Sequence, residues 1–413
     1  MKKSALIILL FFLCYQAESQ NHRPPESASS GIYYNSICYA GAQTFYIVGD
    51  SGYLLKSVNG GESFFRLNPQ GSGTLYSVSF INPDTGYISG SNHLLLYTND
   101  GGEHWMSRPA NIISTVWSLH ATTQNTVWAV GVLDECLGGP GAWFSCGEII
   151  KSVNAGSSWT RESWGMVNTL FSVWFPSPDT GYVVGDYSIC KAYNGGVWNA
   201  NWIDTSTIFN SVHSPHAGTA YAVSLDGVVV KTSNSGTSWD IIQTGLPPHT
   251  LGAVWFTSDS TGYIGGTSGS MMKTTDDGQT WTLLNTGTNQ FILSIAFSSP
   301  DTGIAVGSNK TILKTINAGI TWNDVITGTG KEKEISGRLR IAPTPATDVI
   351  TVTFPGSVSP GVITVYSVGG SILIKQVVNG TRTRIDISRL PKGVYFLQFQ
   401  NCEKALSGKI LKD

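Results

Sequence analysis

Three aspartates, Asp50, Asp186 and Asp226, stand where short apolar runs give way to loops. Facing carboxylates of this kind perform general acid and base work on glycosidic bonds. The competing reading is turn chemistry, in which each carboxylate accepts backbone N–H groups of its own loop. Asp276-Asp277-Gly278 has the look of a cation loop, yet the same turn recurs elsewhere with Asn in place of the first Asp. A second set is aromatic: Trp117, His120, Trp174, His213 and Trp255. Flat indole rings stack on sugar faces and imidazoles supply hydrogen bonds, so these five are the candidate ligand-binding residues. The alternative is that the rings fill space between packed sheets. The chain has no Ser-His-Asp spacing, His-x-x-x-His pair or Cys-x-x-Cys site, so no metal or other cofactor and no catalytic residue is expected.

The elements that position these residues follow from a repeat of about 40 residues. Its clearest part is K-S/T-x-N/D-x-G-x-x-W, as in Lys151-Ser152-Val153-Asn154-Ala155-Gly156-Ser157-Ser158-Trp159. The same register returns from Lys231 to Trp239, Lys273 to Trp281 and Lys314 to Trp322, with variants from Tyr97 to Trp105 and Lys56 to Phe64. Lys191 to Trp198 is a copy one residue short. Upstream of each copy lies a short run such as Gly181-Tyr182-Val183-Val184-Gly185, and before that an alternating run such as Leu170-Phe171-Ser172-Val173-Trp174-Phe175. The alternating runs start at Tyr34, Leu75, Val116, Leu170, Phe209, Leu251 and Ile292. Each unit therefore reads as four antiparallel strands, A to D, which is a propeller blade. In the turn, Asn59, Asp100, Asn154, Asn194, Asn234, Asp276 and Asn317 are read as acceptors of backbone N–H groups, with Gly supplying a left-handed residue. Trp105, Trp159, Trp239, Trp281 and Trp322 are read as anchors of the hairpin, each contributing on the order of 2–3 kcal/mol by burial. The fifth residue of strand A varies among Cys38, Ser79, His120, Trp174, His213, Trp255 and Ala296 while its neighbours repeat, which marks it as the individual position.

Composition agrees with a turn-rich all-β chain: of 413 residues 47 are Gly, 13 are Trp and only 13% are charged. Residues 31–330 hold 10 Lys and Arg against 19 Asp and Glu, which disfavours nucleic acid as a partner. Lys2 and Lys3, the apolar run from Ala5 to Cys14 and Ala17-Glu18-Ser19 read as a signal peptide over 1–19, followed by an N-terminal segment over 20–33. No other apolar stretch approaches the length of a transmembrane span. Val116 to Leu170 is a longer step than the others, so about 13 extra residues enter the third blade between strands B and C. Cys136 and Cys146 flank a Gly-Pro-rich stretch of that insertion and form the candidate disulfide, and Trp143-Phe144 is either a contact or a local core.

The repeated turn resembles the Asp-box, or bacterial neuraminidase repeat, and the longer unit around Val48 to Gly61 is similar to the photosystem II assembly factor-like branch of these propellers. The resemblance implies a seven-bladed β-propeller over 34–330. It implies little about activity, because such repeats occur in sialidases, xyloglucan-cleaving glucanases, sorting receptors and assembly factors. A sialidase needs clustered arginines, whereas the propeller has only Arg66, Arg108 and Arg161, all just after the anchoring aromatic on outer strands.

After a charged linker over 331–337, residues 338–413 show alternating strands that suit a small antiparallel β-sandwich. Pro343 to Asp348, Ile385 to Tyr395 with Gly393 and Tyr395, and the basic end from Lys409 to Lys412 resemble the type A C-terminal sorting domain of the type IX secretion system of Bacteroidota. That resemblance implies the type IX machinery as a partner, and secretion or attachment at the cell surface. The expectation is a surface-displayed, non-catalytic propeller that binds a glycan or protein, the alternative being a secreted polysaccharide-degrading glycosidase or lyase.

Overall fold

The computed structural model describes residues 31–413, apart from 70–72, 109–112, 134–146, 163–167, 187–188, 203–206, 246–248, 326–338, 344, 355–360, 368–371 and 401–404. The leader over 1–19, residues 20–30, the Cys136–Cys146 pair with Trp143 and Phe144, and the 331–337 linker lie outside the described residues.

Residues 34–324 form seven four-stranded antiparallel sheets, each built from one contiguous stretch: 34–67, 75–107, 113–161, 170–202, 209–242, 251–284 and 292–324. Strand order within each sheet follows the chain, so strand A of every blade has one free edge. The inner strands are Tyr34–Gly41, Leu75–Phe80, Ile113–Ala121, Leu170–Ser177, Phe209–His216, Leu251–Phe256 and Ile292–Phe297. Each packs beside the next and the seventh beside the first, which closes the ring. At that closure the Ile37 N–H donates to Ser294 Oγ at 3.2 Å, and the Lys310 ammonium donates to the Tyr53 hydroxyl at 2.9 Å. Lys314 pairs with Glu62 across the same seam. A shared core of Tyr34, Ile37, Phe45, Ala296, Ile304 and Ile312 lies beneath.

Strand B of each blade is buried along most of its length, because both of its faces meet neighbouring blades. Its aromatic residue joins blades in two ways. Tyr46 stacks on Phe80 of the next blade at 3.7 Å between ring centroids, and Phe80 meets Trp105 edge-on at 6.1 Å. Tyr221, Phe256 and Trp281 repeat the arrangement, as do Tyr263, Phe297 and Trp322, and Trp128, Phe175 and Trp198. The tyrosine hydroxyls then reach the following blade's turn: Tyr46 to Gly101 O, Tyr221 to Asp277 O and Tyr263 to Ala318 O, all at 2.8–2.9 Å. The repeated lysines converge on the same carbonyls, from Lys56 at 2.6 Å, Lys231 at 3.0 Å and Lys273 at 2.8 Å. Conservation of lysine through the repeat thus has a mechanical reason, a staple between blades.

The repeated turn has one hydrogen-bond pattern at six blades. In the third, Gly156 N–H donates to Ser152 Oγ at 2.9 Å and Ser158 N–H to Asn154 Oδ1 at 2.9 Å. Asn59, Asp100, Asn234, Asp276 and Asn317 occupy the same acceptor position. Trp105, Trp281 and Trp322 are buried, whereas Trp159 and Trp239 are half-buried. Blade 4 departs from the expected pattern. There Asn194 pairs with Val197 across a two-residue hairpin, with positive φ at Gly195 and Gly196, so Asn194 is a strand end and not a turn acceptor. Loss of one residue explains this, since the longer turn needs the residue that Lys191 to Trp198 lacks.

The tail has its own core. A three-stranded sheet of Arg340–Ala342, Val349–Thr353 and Arg382–Asp386 and a four-stranded sheet in the order Ile372–Val378, Gly361–Ser367, Gly393–Gln400, Ala405–Lys412 enclose Ile350, Val352, Ile363, Val365, Ile385, Leu397, Phe399 and Ile410. Gly393 opens a strand, and the buried Tyr395 donates its hydroxyl to Pro391 O at 2.6 Å. The basic end is ordered into the last strand. Lys409 is exposed, but Lys412 is buried, donates to the Thr347 carbonyl and bridges in parallel to Ala346.

Candidate functional site

A free inner edge leaves main-chain N–H groups facing the axis, and the protein meets this demand with side chains from the preceding blade. Antiparallel pairing alternates, so the third, fifth and seventh residues of strand A bond strand B while the N–H groups of the fourth and sixth face inward. The third residue is Ser in six blades. Its Oγ accepts the fourth residue's N–H one blade on: Val78 to Ser36, Leu119 to Ser77, Val173 to Ser118, Val212 to Ser172, Val254 to Ser211 and Ile37 to Ser294, at 3.2–3.4 Å. Blade 6 has Ala253 in this place, which offers no oxygen to Ile295.

The fifth residue serves the sixth residue's N–H in the same way. Cys38 Sγ accepts from Phe80 at 3.3 Å, Ser79 Oγ from Ala121 at 3.1 Å and His213 Nδ1 from Phe256 at 3.2 Å, whereas the bond of His120 to the main chain of Phe175 favours its protonated form, as donation to a carbonyl does. Burial pushes the Cys38 thiol up to about 11, so it is a neutral acceptor here. Burial holds His120 down at about 4 and His213 at about 3, the latter also opposed by charge on His120. Both imidazoles are therefore neutral, and the bond accepted at His213 Nδ1 leaves the hydrogen on Nε2. Trp174 donates its indole N–H to Ser214 O at 3.1 Å. Trp255 and Ala296 accept nothing.

Four of the five sequence candidates meet. His120 and Trp174, Trp174 and His213, and His213 and Trp255 each lie 4.4 Å apart between ring centroids, and Trp174 meets Trp255 edge-on at 5.5 Å. They form one wall of a cavity of about 370 Å³ on the propeller axis, completed by the serine ring and by Cys38, Ser79 and Ile295. No Asp, Glu, Lys or Arg is among its lining residues. Trp117 does not join them. It sits at the second residue of strand A, where every blade carries a register shift, and packs between Tyr76 at 4.4 Å and Phe171 at 5.9 Å. That bulge turns Asn35, Tyr76, Trp117, Phe171, Asn210 and Leu293 into a separate tier, which residue types alone did not mark.

The aspartates are engaged in their loops. Asp50 accepts the Tyr33 N–H at 3.1 Å and the Asn35 amide at 3.3 Å, and Asp226 accepts the Thr207 hydroxyl. Asp186 is buried. The arginines stay on outer strands: Arg66 lies 4.0 Å over the Tyr53 ring, Arg108 donates to Ala155 O, and Arg161 faces Glu148 at 3.6 Å. Among the described residues no group of three His, Cys, Asp or Glu has the spacing of a metal site, and no helix is long and apolar enough to cross a membrane.

Residues 340–413 match the family model described as "Secretion system C-terminal sorting domain". A stretch of 69 residues is 35% identical to "Funoran endo-beta-hydrolase" of Wenyingzhuangia aestuarii, covering 16% of this chain and 9% of that protein. Among solved structures, "YCF48 bound to D1 peptide" is similar at a TM-score of 0.56 and 17% identity, over 70% of this chain and 93% of that one. The Niastella koreensis GH74 enzyme is similar at a TM-score of 0.58 and 13% identity, over 92% of this chain and 73% of that one. At these identities the two structures speak for the fold. The chain is a β-propeller carrying a type IX secretion C-terminal sorting domain, and it is secreted or displayed at the cell surface.

Proposed function

We propose that this protein is a non-catalytic binding module that acts outside the cell, with a glycan as the favoured ligand of the propeller. The observation that carries the reading is the axial cavity. It brings His120, Trp174, His213 and Trp255 together and has no carboxylate among its lining residues. Glycoside hydrolysis needs two acids about 5–10 Å apart, while Asp50 and Asp226 are occupied by loop donors. The type IX machinery would act on the tail, through a sheet to which Lys412 is already tied.

A secreted hydrolase is the second reading, favoured by the glycoside-hydrolysing names of two similar proteins. The complex of YCF48 with a peptide keeps a protein ligand in view. The deciding experiment presents the full chain to a panel of polysaccharides and scores retention together with new reducing ends. Retention without cleavage supports binding. New reducing ends overturn it in favour of hydrolysis, and the absence of both moves the function to a protein partner.

A further inference from the structure

We propose that the axial cavity takes a single uncharged sugar residue, stacked on Trp255, with its oxygens held by the main-chain N–H group of Ile295 and by His213 Nε2. This rests on the glycan-binding reading and specifies its site and ligand class.

The argument begins with the one seam of the ring that is left open at both levels. Between blades 6 and 7 the third residue is Ala253 and the fifth is Trp255, and neither side chain can accept a hydrogen bond. Ile295 and Phe297 therefore keep N–H groups with no side-chain acceptor among the described residues, although both residues are buried, and of the two only Ile295 lines the cavity. Equivalent groups at Val254 and Phe256 are taken by Ser211 and His213. His213 is 4% exposed, its Nδ1 is used, and its Nε2–H has no acceptor among the described residues although it lines the cavity. The Trp255 ring lies 4.4 Å from that imidazole. Two oriented donors thus flank one flat apolar face.

Each feature restricts the ligand. A hydrocarbon would leave both donors unsatisfied. An anionic sugar would lose its hydration with no Lys or Arg on the wall to replace it. A long oligosaccharide exceeds about 370 Å³, which is near the lower end of small-molecule sites of roughly 300–1,000 Å³. Acceptor oxygens on a ring with an apolar face, and no net charge, describe a neutral pyranose.

The test titrates the full chain with glucose, galactose, N-acetylglucosamine and glucuronic acid, followed by tryptophan fluorescence and calorimetry. At least one neutral sugar is expected to bind and glucuronic acid is not. Ala253→Ser supplies the missing seventh oxygen, so it is expected to cap Ile295, preserve or raise the melting temperature, and weaken the sugar roughly tenfold. Trp255→Ala is expected to abolish binding, and Trp117→Ala to leave it unchanged. Sugar binding that ignores both Ala253→Ser and Trp255→Ala overturns the proposal and leaves the broader glycan reading standing. The same holds if polysaccharides retain the chain while none of the four sugars binds. If neither polysaccharide nor sugar binds, both readings fall.

Discussion

A Cβ on Gly262 would lie 2.5 Å from the ring of Phe256, six residues earlier on the neighbouring strand. The relationship repeats wherever the sixth residue of strand A is Phe: Gly86 faces Phe80 at 2.5 Å, Gly303 faces Phe297 at 2.6 Å, and Gly181 meets Phe175. In the other three blades the sixth residue is Tyr39, Ala121 or Ser214, and strand B carries Phe45, Val127 or Ala220 where the glycine would be. The phenylalanine ring lies flat over the glycine because Tyr221 stacks on its other side, at 3.9 Å between centroids. Gly262→Ala is expected to cost about 1–3 kcal/mol by overpacking. In the Phe256→Ala background the added methyl enters vacated space, so the double variant is expected to be more stable than the sum of the singles predicts. A denaturant double-mutant cycle measures the coupling, and strict additivity would refute the account.

The serine ring makes a second prediction. Ser211→Ala removes the acceptor of the Val254 N–H and leaves a buried donor facing the axis, for an expected loss of about 1–2 kcal/mol. Ser77→Ala acts on a seam several blades away, so the two losses are expected to add within about 0.5 kcal/mol. Equilibrium unfolding of the singles and the pair checks both statements. A ring that tolerates either change without loss would mean that water replaces the hydroxyl at no cost.

The sequence carried the propeller because the repeat states each blade several times over, and strands, turns and the B–C insertion of blade 3 can all be read from its alignment with itself. It carried the variable fifth residue for the same reason. Alternation sets Trp117 one face over from Trp174 and Trp255, but the sequence did not reveal that a bulge keeps this ring out of the cavity and packs it between Tyr76 and Phe171. Nor did it show that His120 and His213 spend a hydrogen bond on the next blade, because residue type does not say which ring atom is free. The open donors of Ile295 and Phe297 are main-chain groups, visible only through what Ala253 and Trp255 fail to provide. In the tail, the sequence marked Gly393 to Leu397 but not Arg382–Asp386, whose charged alternation hides the buried Ile385.

Asp276 tests whether the repeated turn has any need of a cation. Its Oδ1 accepts the Thr280 N–H at 2.9 Å and the Thr274 hydroxyl at 2.7 Å, and Oδ2 accepts the Thr280 hydroxyl at 2.5 Å. These bonds, first among them the Thr280 hydroxyl, hold the carboxyl at about 2. Asn performs the same task in four other blades, so Asp276→Asn is expected to leave the melting temperature nearly unchanged and Asp276→Ala to lower it. Addition of EDTA or calcium is expected to shift neither the parent nor the Asn variant. A calcium-dependent rise in melting temperature, abolished by Asp276→Asn, would restore the cation reading.

The buried imidazoles give stability a pH dependence whose sign follows from their environment. Desolvation lowers His213 to about 3 and His120 to about 4, from an ordinary value of 6.5. Below pH 6.5 the unfolded chain takes up protons that the folded chain refuses, so stability is full above pH 6.5 and falls as pH drops toward 4. A single such group contributes a slope of at most about 1.4 kcal/mol per pH unit. Carboxylates lowered by hydrogen bonds, such as Asp100 and Asp276, act below their ordinary value near 3.8, which leaves pH 7 to 5 as a window dominated by histidine. The groups packed on His213 there are His120, Trp174 and Trp255, and no carboxylate lines the cavity to offset the effect. His213→Gln keeps an acceptor for the Phe256 N–H but cannot titrate. Urea unfolding at pH 7 and pH 5 is expected to show a clear loss of stability in the parent and a smaller one in the variant. Equal losses in the two proteins would mean that His213 takes up its proton in the fold as readily as in the unfolded chain, which would refute the buried, neutral imidazole on which the axial site rests.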